Sequence, residues 1–108
     1  MSKPRIWISN ATPKKDELVR VRALVEHRME SGFRQHADGS VIARQIIHTF
    51  TAHLNDELLF SWSPETAVSQ NPYIEFTFIA FASGELRLTW EDDEGEIIQG
   101  NAELTLSA

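Results

Sequence analysis

An all-β sandwich of about seven antiparallel strands, immunoglobulin-like in type, is what the sequence predicts, on three observations. Apolar and polar residues alternate in segment after segment, turn residues recur about every ten residues, and no long stretch keeps the 3.6-residue period of a helix. A sheet with one buried face hides every second residue, so this pattern specifies two sheets packed face to face. A small barrel is the alternative that the same strand count allows. Of the 108 residues 42% are hydrophobic, enough for one compact core, and a single domain over residues 1–108 is expected.

Arg5 to Ile8 reads as a short first strand, with Ile6 and Ile8 on one face and Trp7 on the other, and the polar run Ala11 to Asp16 connects it onward. From Leu18 to Val25 the pattern is clearest. Val19, Val21, Ala23 and Val25 face one way, while Arg20, Arg22 and the flanking Glu26 face the other. Glu30 to Ser40 contains two glycines, several polar groups and Phe33, and reads as a long loop. Ile42 to Leu54 resumes a strand, with Ile46, His48, Phe50 and Ala52 on one face and Ile47, Thr49, Thr51 and His53 on the other.

Asn55-Asp56 is a tight turn into Leu58 to Trp62. Pro64 ends that strand, and Ser63 to Thr66 opens one short helical turn, with Ala67 and Val68 covering an end of the core. Ile74 to Ala82 carries Phe76, Phe78, Ile79 and Phe81 and is apolar on both faces, as a central strand is. Ser83-Gly84 turns it into Leu86 to Trp90, and Glu94-Gly95 turns that strand into Ile97 to Leu106.

A formal net charge of -6 with scattered Lys and Arg disfavours nucleic acid, and it also disfavours an open site for small anions. Asp92, Asp93, Glu94 and Glu96 read as a solvated hairpin tip. No apolar run approaches the roughly 20 residues that cross a bilayer, so no membrane partner is expected. Met1 to Pro4 lacks the apolar stretch of a signal peptide, which reads as cytoplasmic or as mature. Cysteine is absent. The chain therefore holds no disulfide, thiolate nucleophile, persulfide or cysteine-ligated zinc, and sulfur chemistry would have to pass through a partner.

Each candidate site competes with a structural role. His48 and His53 fall on opposite faces of one strand, which argues against a shared metal. His27 and His36 flank the long loop with Glu30 and Asp38 near them. A small metal-dependent redox enzyme using that loop is one rival reading, and His27 ending a strand and bonding local backbone is its plain counterpart. No Gly-x-Ser-x-Gly elbow, phosphate loop, dinucleotide fingerprint or EF-hand spacing is present, and Asn10-Ala11-Thr12 matches a glycosylation sequon only formally. No catalytic residue, cofactor or metal ligand is expected. Trp7, Trp62, Trp90, Tyr73 and Phe33 lie in or beside strand ends and loops, where an aromatic ring caps its own core or anchors another protein. Phe33, in a polar loop, is the expected anchor. A homo-oligomeric structural module is a third reading.

Three segments recur in this order in one family: His27-Arg28-Met29-Glu30-Ser31-Gly32-Phe33, Asn71-Pro72-Tyr73, and Trp90-Glu91-Asp92-Asp93-Glu94-Gly95. With Gly39, Arg44 to Ile47 and Ser83-Gly84 they make the chain resemble the SoxZ family nearly end to end. Arg28 and Ala43 stand where family members often carry proline. The resemblance implies an immunoglobulin-like sandwich. It also implies the non-catalytic half of a sulfur-carrier heterodimer of thiosulfate oxidation, bound to SoxY, whose cysteine near a glycine-rich C-terminus carries the sulfur. Such subunits work in the periplasm and are exported with a signal-bearing SoxY, and they meet other sulfur-oxidation enzymes through the complex. His27, Met29, Glu30, Phe33, Asn71, Pro72 and Tyr73 are the residues expected to contribute to partner recognition.

Overall fold

The computed structural model describes residues 4–64 and 72–107. Among the described residues seven strands follow in order: β1 (Arg5–Ile8), β2 (Leu18–Leu24), β3 (Ile47–Leu54), β4 (Glu57–Trp62), β5 (Tyr73–Ile79), β6 (Gly84–Asp92) and β7 (Ile97–Leu104). They form a three-stranded sheet, β1-β2-β5, and a four-stranded sheet, β4-β3-β6-β7, with every pairing antiparallel. This is the immunoglobulin-like sandwich that the alternation predicts.

Register explains the core. Val19, Val21 and Ala23 lie opposite Phe78, Phe76 and Ile74, and in the other sheet Phe50, Ala52 and Leu54 lie opposite Trp90, Leu88 and Leu86. These rows face each other and are buried. The Phe50 ring lies 6.2 Å from Phe76 of the opposite sheet, 6.2 Å from Phe60 and 5.0 Å from Trp90, in tilted arrangements that aromatic quadrupoles favour. Phe60 and Phe76 stack at 5.3 Å across the same gap. On the other side the two sheets approach at Gly100, where a β-carbon would come within 2.7 Å of Ile6 and 2.8 Å of Pro4. Only glycine permits β1 to lie so close to β7.

Three elements depart from the reading. The strand expected from Ile42 begins at Ile47, because residues 42–45 pair back on the loop before them. A bulge then falls between Ile47 and Thr49, so Ile46, Ile47 and Phe50 are all buried while His48 is displaced from the core face. Strict alternation through His48 is thereby broken. β5 is an edge strand, not a central one. Its burial alternates, with Ile74, Phe76 and Phe78 inward and Tyr73 and Ile79 exposed, so its apolar density reflects one core face plus an exposed apolar remainder. Of the tryptophans, Trp90 is core, Trp62 packs partly on the core and Trp7 is exposed. The helical turn expected from Ser63 extends into residues 65–71, which lie outside the described residues.

Candidate partner-binding site

Residues 30–45 form an irregular hairpin arm leaving one end of the sandwich. Glu30 and Gln45 exchange both backbone hydrogen bonds (2.8 and 2.9 Å), Ile42 N–H donates to Arg34 O, and Gln35 bridges Val41. His36 to Ser40 closes the tip, where His36 N–H donates to Ser40 O. The Ser40 hydroxyl and amide donate to Asp38 and hold its carboxyl below the usual range. The longest strand, β6, has 9 residues and so spans about 30 Å. The molecule is 63 Å long with a cross-section of 21 × 20 Å, longer than any of its strands. Gly32 adopts φ +88° with the Arg44 backbone and Cβ close beside it, a position where a side chain would be both strained and crowded.

A polar hub fastens the arm, and it is built from the acidic run that reads in sequence as a solvated tip. Asp92 is 2% exposed. Its Oδ1 accepts from the backbone N–H of Glu94 (3.0 Å) and Glu96 (2.9 Å), and its Oδ2 accepts from Gln45 Nε2 (3.2 Å) and lies 3.3 Å from His27 Nε2. His27 Nδ1 accepts from Met29 N–H at 2.9 Å, so the proton belongs on Nε2, pointing at Asp92. Next to it, Asp93 takes a bidentate pair from Arg44 (2.8 and 2.9 Å) and accepts from Ile46 N–H. Of the four acids only Glu94 is exposed. The hub joins the end of β2, the return of the arm and the β6–β7 turn.

Chiefly through the Arg44 hydrogen bonds, opposed by partial desolvation, the Asp93 carboxyl is held below its ordinary value. A depressed carboxylate stabilises the fold fully above its unfolded value of about 4, and that contribution is lost as pH falls through the folded value. Denaturation midpoints measured from about pH 6 to about pH 2.5 should therefore fall more steeply below about pH 4 for the native chain than for Arg44→Met. Parallel curves would remove Arg44 as the cause.

The seven residues expected to meet a partner separate in space. Phe33 is 81% exposed on the arm, with Val41 also exposed on its returning side. Glu30 is half-buried at the arm's base, paired with Arg34 at 2.7 Å, beside a depression of about 410 Å³ lined by Arg28, Met29, Glu30, Ser31 and Arg34. His27 and Met29 point inward. The His27 side chain is in the hub, and Met29, 6% exposed, joins the core with its Sδ 3.3 Å from the Ile47 nitrogen, so neither offers its side chain as surface. Pro72 is buried, its carbonyl accepting from Val25 N–H, whereas Tyr73 is exposed on the outer face of β5 and Asn71 lies outside the described residues.

His36 stands on the exposed tip while His27 is buried at the base, and the loop does not gather them; among the described residues no three His, Cys, Asp or Glu side chains form a metal-ligand set. Sequence reading misses the hub because its members lie as far as 65 residues apart. The available signal is a histidine at a strand end followed much later by adjacent aspartates, and this identifies no pairing.

Fold and site together define an immunoglobulin-like sandwich that carries an anchored, projecting arm with an exposed aromatic residue on it. The chain belongs to the SoxZ family, whose model, described as "Sulphur oxidation protein SoxZ", matches residues 8–103. That membership places it in the Sox system of sulfur oxidation. No curated protein matches the sequence. Among solved structures, a superoxide reductase (neelaredoxin) from Ignicoccus hospitalis aligns at TM-score 0.70 with 16% identity, covering 98% of this chain and 81% of that one. The sulfur carrier protein SoxY from Chlorobium limicola f. thiosulfatophilum aligns at TM-score 0.65 with 8% identity, covering 100% and 82%. At such identities the likeness is one of fold.

Proposed function

We propose that this chain is the non-catalytic subunit of a sulfur-carrier heterodimer, binding a SoxY subunit whose cysteine carries the sulfur and presenting it to the enzymes that act on it. The observation that carries the reading is a cysteine-free member of the SoxZ family with Phe33 held out on a fastened arm. An exposed aromatic on a projecting element is costly in water and gains roughly 1.5–3 kcal/mol when a partner buries it. The hub supports the same reading, because an anchor held by a rigid base loses little freedom on docking. The complex works in the periplasm, exported through the signal of the partner subunit.

Co-expression with SoxY followed by co-purification tests the pairing. Phe33→Ala should then weaken complex formation, or lower sulfur-compound turnover by the complete system, by roughly tenfold to a hundredfold. Its thermal midpoint should stay near that of the native chain, since Phe33 is 81% exposed and contributes little to the core. Unchanged behaviour in both assays would reject the arm as the recognition element, and failure of the native chain to co-purify would reject the pairing itself.

A further inference from the structure

Outside the arm, the outer face of the three-stranded sheet departs from the rest of the surface. Its apolar members are large and exposed: Leu18 at 60% pairs with Ile79, Tyr73 lies opposite Leu24, and Trp7 at 42% lies opposite Arg22. Its charges are also mostly of one sign. Arg5, Arg20 and Arg22 point outward from β1 and β2 against a single carboxylate within these strands, Glu75, in a chain whose net charge is -6. The four-stranded sheet shows the reverse, with Glu85, Glu91 and Glu103 outward against Arg87 on β6 and β7. Within its strands this face is thus net basic, with Glu26 flanking β2 at one end.

That face has a seat. Between β1 and β2 lies a depression of about 270 Å³ lined by Trp7, Ile8, Ser9, Arg20 and Arg22. The Arg22 guanidinium carbon sits 5.8 Å from the centre of the Trp7 ring, which orients the cation over an aromatic floor. Arg20 reaches Glu75 only at 3.7 Å, with 64% of its own side chain exposed. Such a loose surface pair exchanges readily for a better one.

We propose that this face is the lasting subunit interface. Its occupant is an acidic face of the cysteine-bearing partner, with a partner carboxylate seated between Arg20 and Arg22 beside Trp7. This rests on the reading that the chain works in a carrier complex, and it adds a second surface to the arm. Charge selects the occupant. Two copies of this chain meeting face to face about a twofold axis would bring arginines against arginines, which like-charge repulsion opposes. An acidic foreign face satisfies the same cations in the middle rows of the sheet, and exposed Leu18 with Ile79 at one end and Tyr73 at the other add apolar area toward the roughly 800 Å² per partner that a subunit interface buries.

The test uses the co-expressed complex. Arg20→Glu/Arg22→Glu in the full chain should weaken assembly at least about tenfold at low salt, and the gap from the native chain should narrow as salt screens the charges. Trp7→Ala should weaken it independently of salt. Circular dichroism and the thermal midpoint of each variant alone report folding, and if the double variant unfolds, Arg20→Gln/Arg22→Gln replaces it with the same expected salt dependence. Assembly unchanged within about twofold in a folded variant overturns the assignment of this face while the pairing stands. So does a native chain that self-associates when pure and is dispersed by the same substitutions. Absence of any complex with the native chain overturns both proposals.

Discussion

Asp92→Ala should lower stability by roughly 3–5 kcal/mol and loosen the arm, the largest effect expected from any polar substitution in this chain. The carboxylate is buried and accepts from two backbone amides of the β6–β7 turn as well as from Gln45, with the His27 ring 3.3 Å away. Removing it leaves those donors facing an apolar side chain in a site closed to water, and unmet buried donors cost far more than a surface pair returns. Asp92→Asn should recover only part of the loss. One amide oxygen can still serve the Glu94 and Glu96 amides, but the amide NH₂ then points at the donors of His27 and Gln45. Chemical denaturation gives the free energy, and hydrogen exchange at Glu30, Gln45 and Glu96 reports the arm and turn. A loss below about 1 kcal/mol for Asp92→Ala would mean that the hub is not what fastens the arm.

Phe50→Ala should be at least as damaging, by a different route. Its ring packs with Phe60 and Trp90 within its own sheet and Phe76 in the opposite one, so truncation empties the point where the sheets meet. Phe to Ala in a packed core costs about 3–5 kcal/mol, the removed surface plus the cavity that neighbours fail to close. For a domain of this size that is a fall in thermal midpoint of at least about 10 °C. Phe50→Leu should cost far less, because most of the volume is retained. A drop of only a degree or two for Phe50→Ala would indicate that Phe60 and Phe76, already stacked, close the gap. Hydrogen exchange separates the two variants: Asp92→Ala should act first on the arm and turn, and Phe50→Ala on both sheets together.

Much of the site is legible before the fold. Phe33 stands out because an aromatic among glycine and polar residues has no periodic partner that would bury it, and it is exposed. The family segment marks His27 and Met29 for partner recognition, yet tertiary contact buries both, one in the hub and one in the core. Tyr73 is exposed as expected, but it stands on the outer sheet face rather than on the arm, so the marked residues belong to two surfaces and not to one.

The all-β class, the seven strands and the chemistry closed to a chain without cysteine all follow from the order of the residues. Alternation is a local property, written in each strand by the burial of one face, and it survives in any sheet order. Which strand neighbours which is not local. β5 at an edge, residues 42–45 folded back on the arm, and the bulge that displaces His48 were all settled by pairings between segments apart in the chain. The hub arose in the same way. A carboxylate next to a turn is ordinarily solvated, and Asp92 became buried only because packing brought His27 and Gln45 to it, where closure against water made every one of its hydrogen bonds necessary.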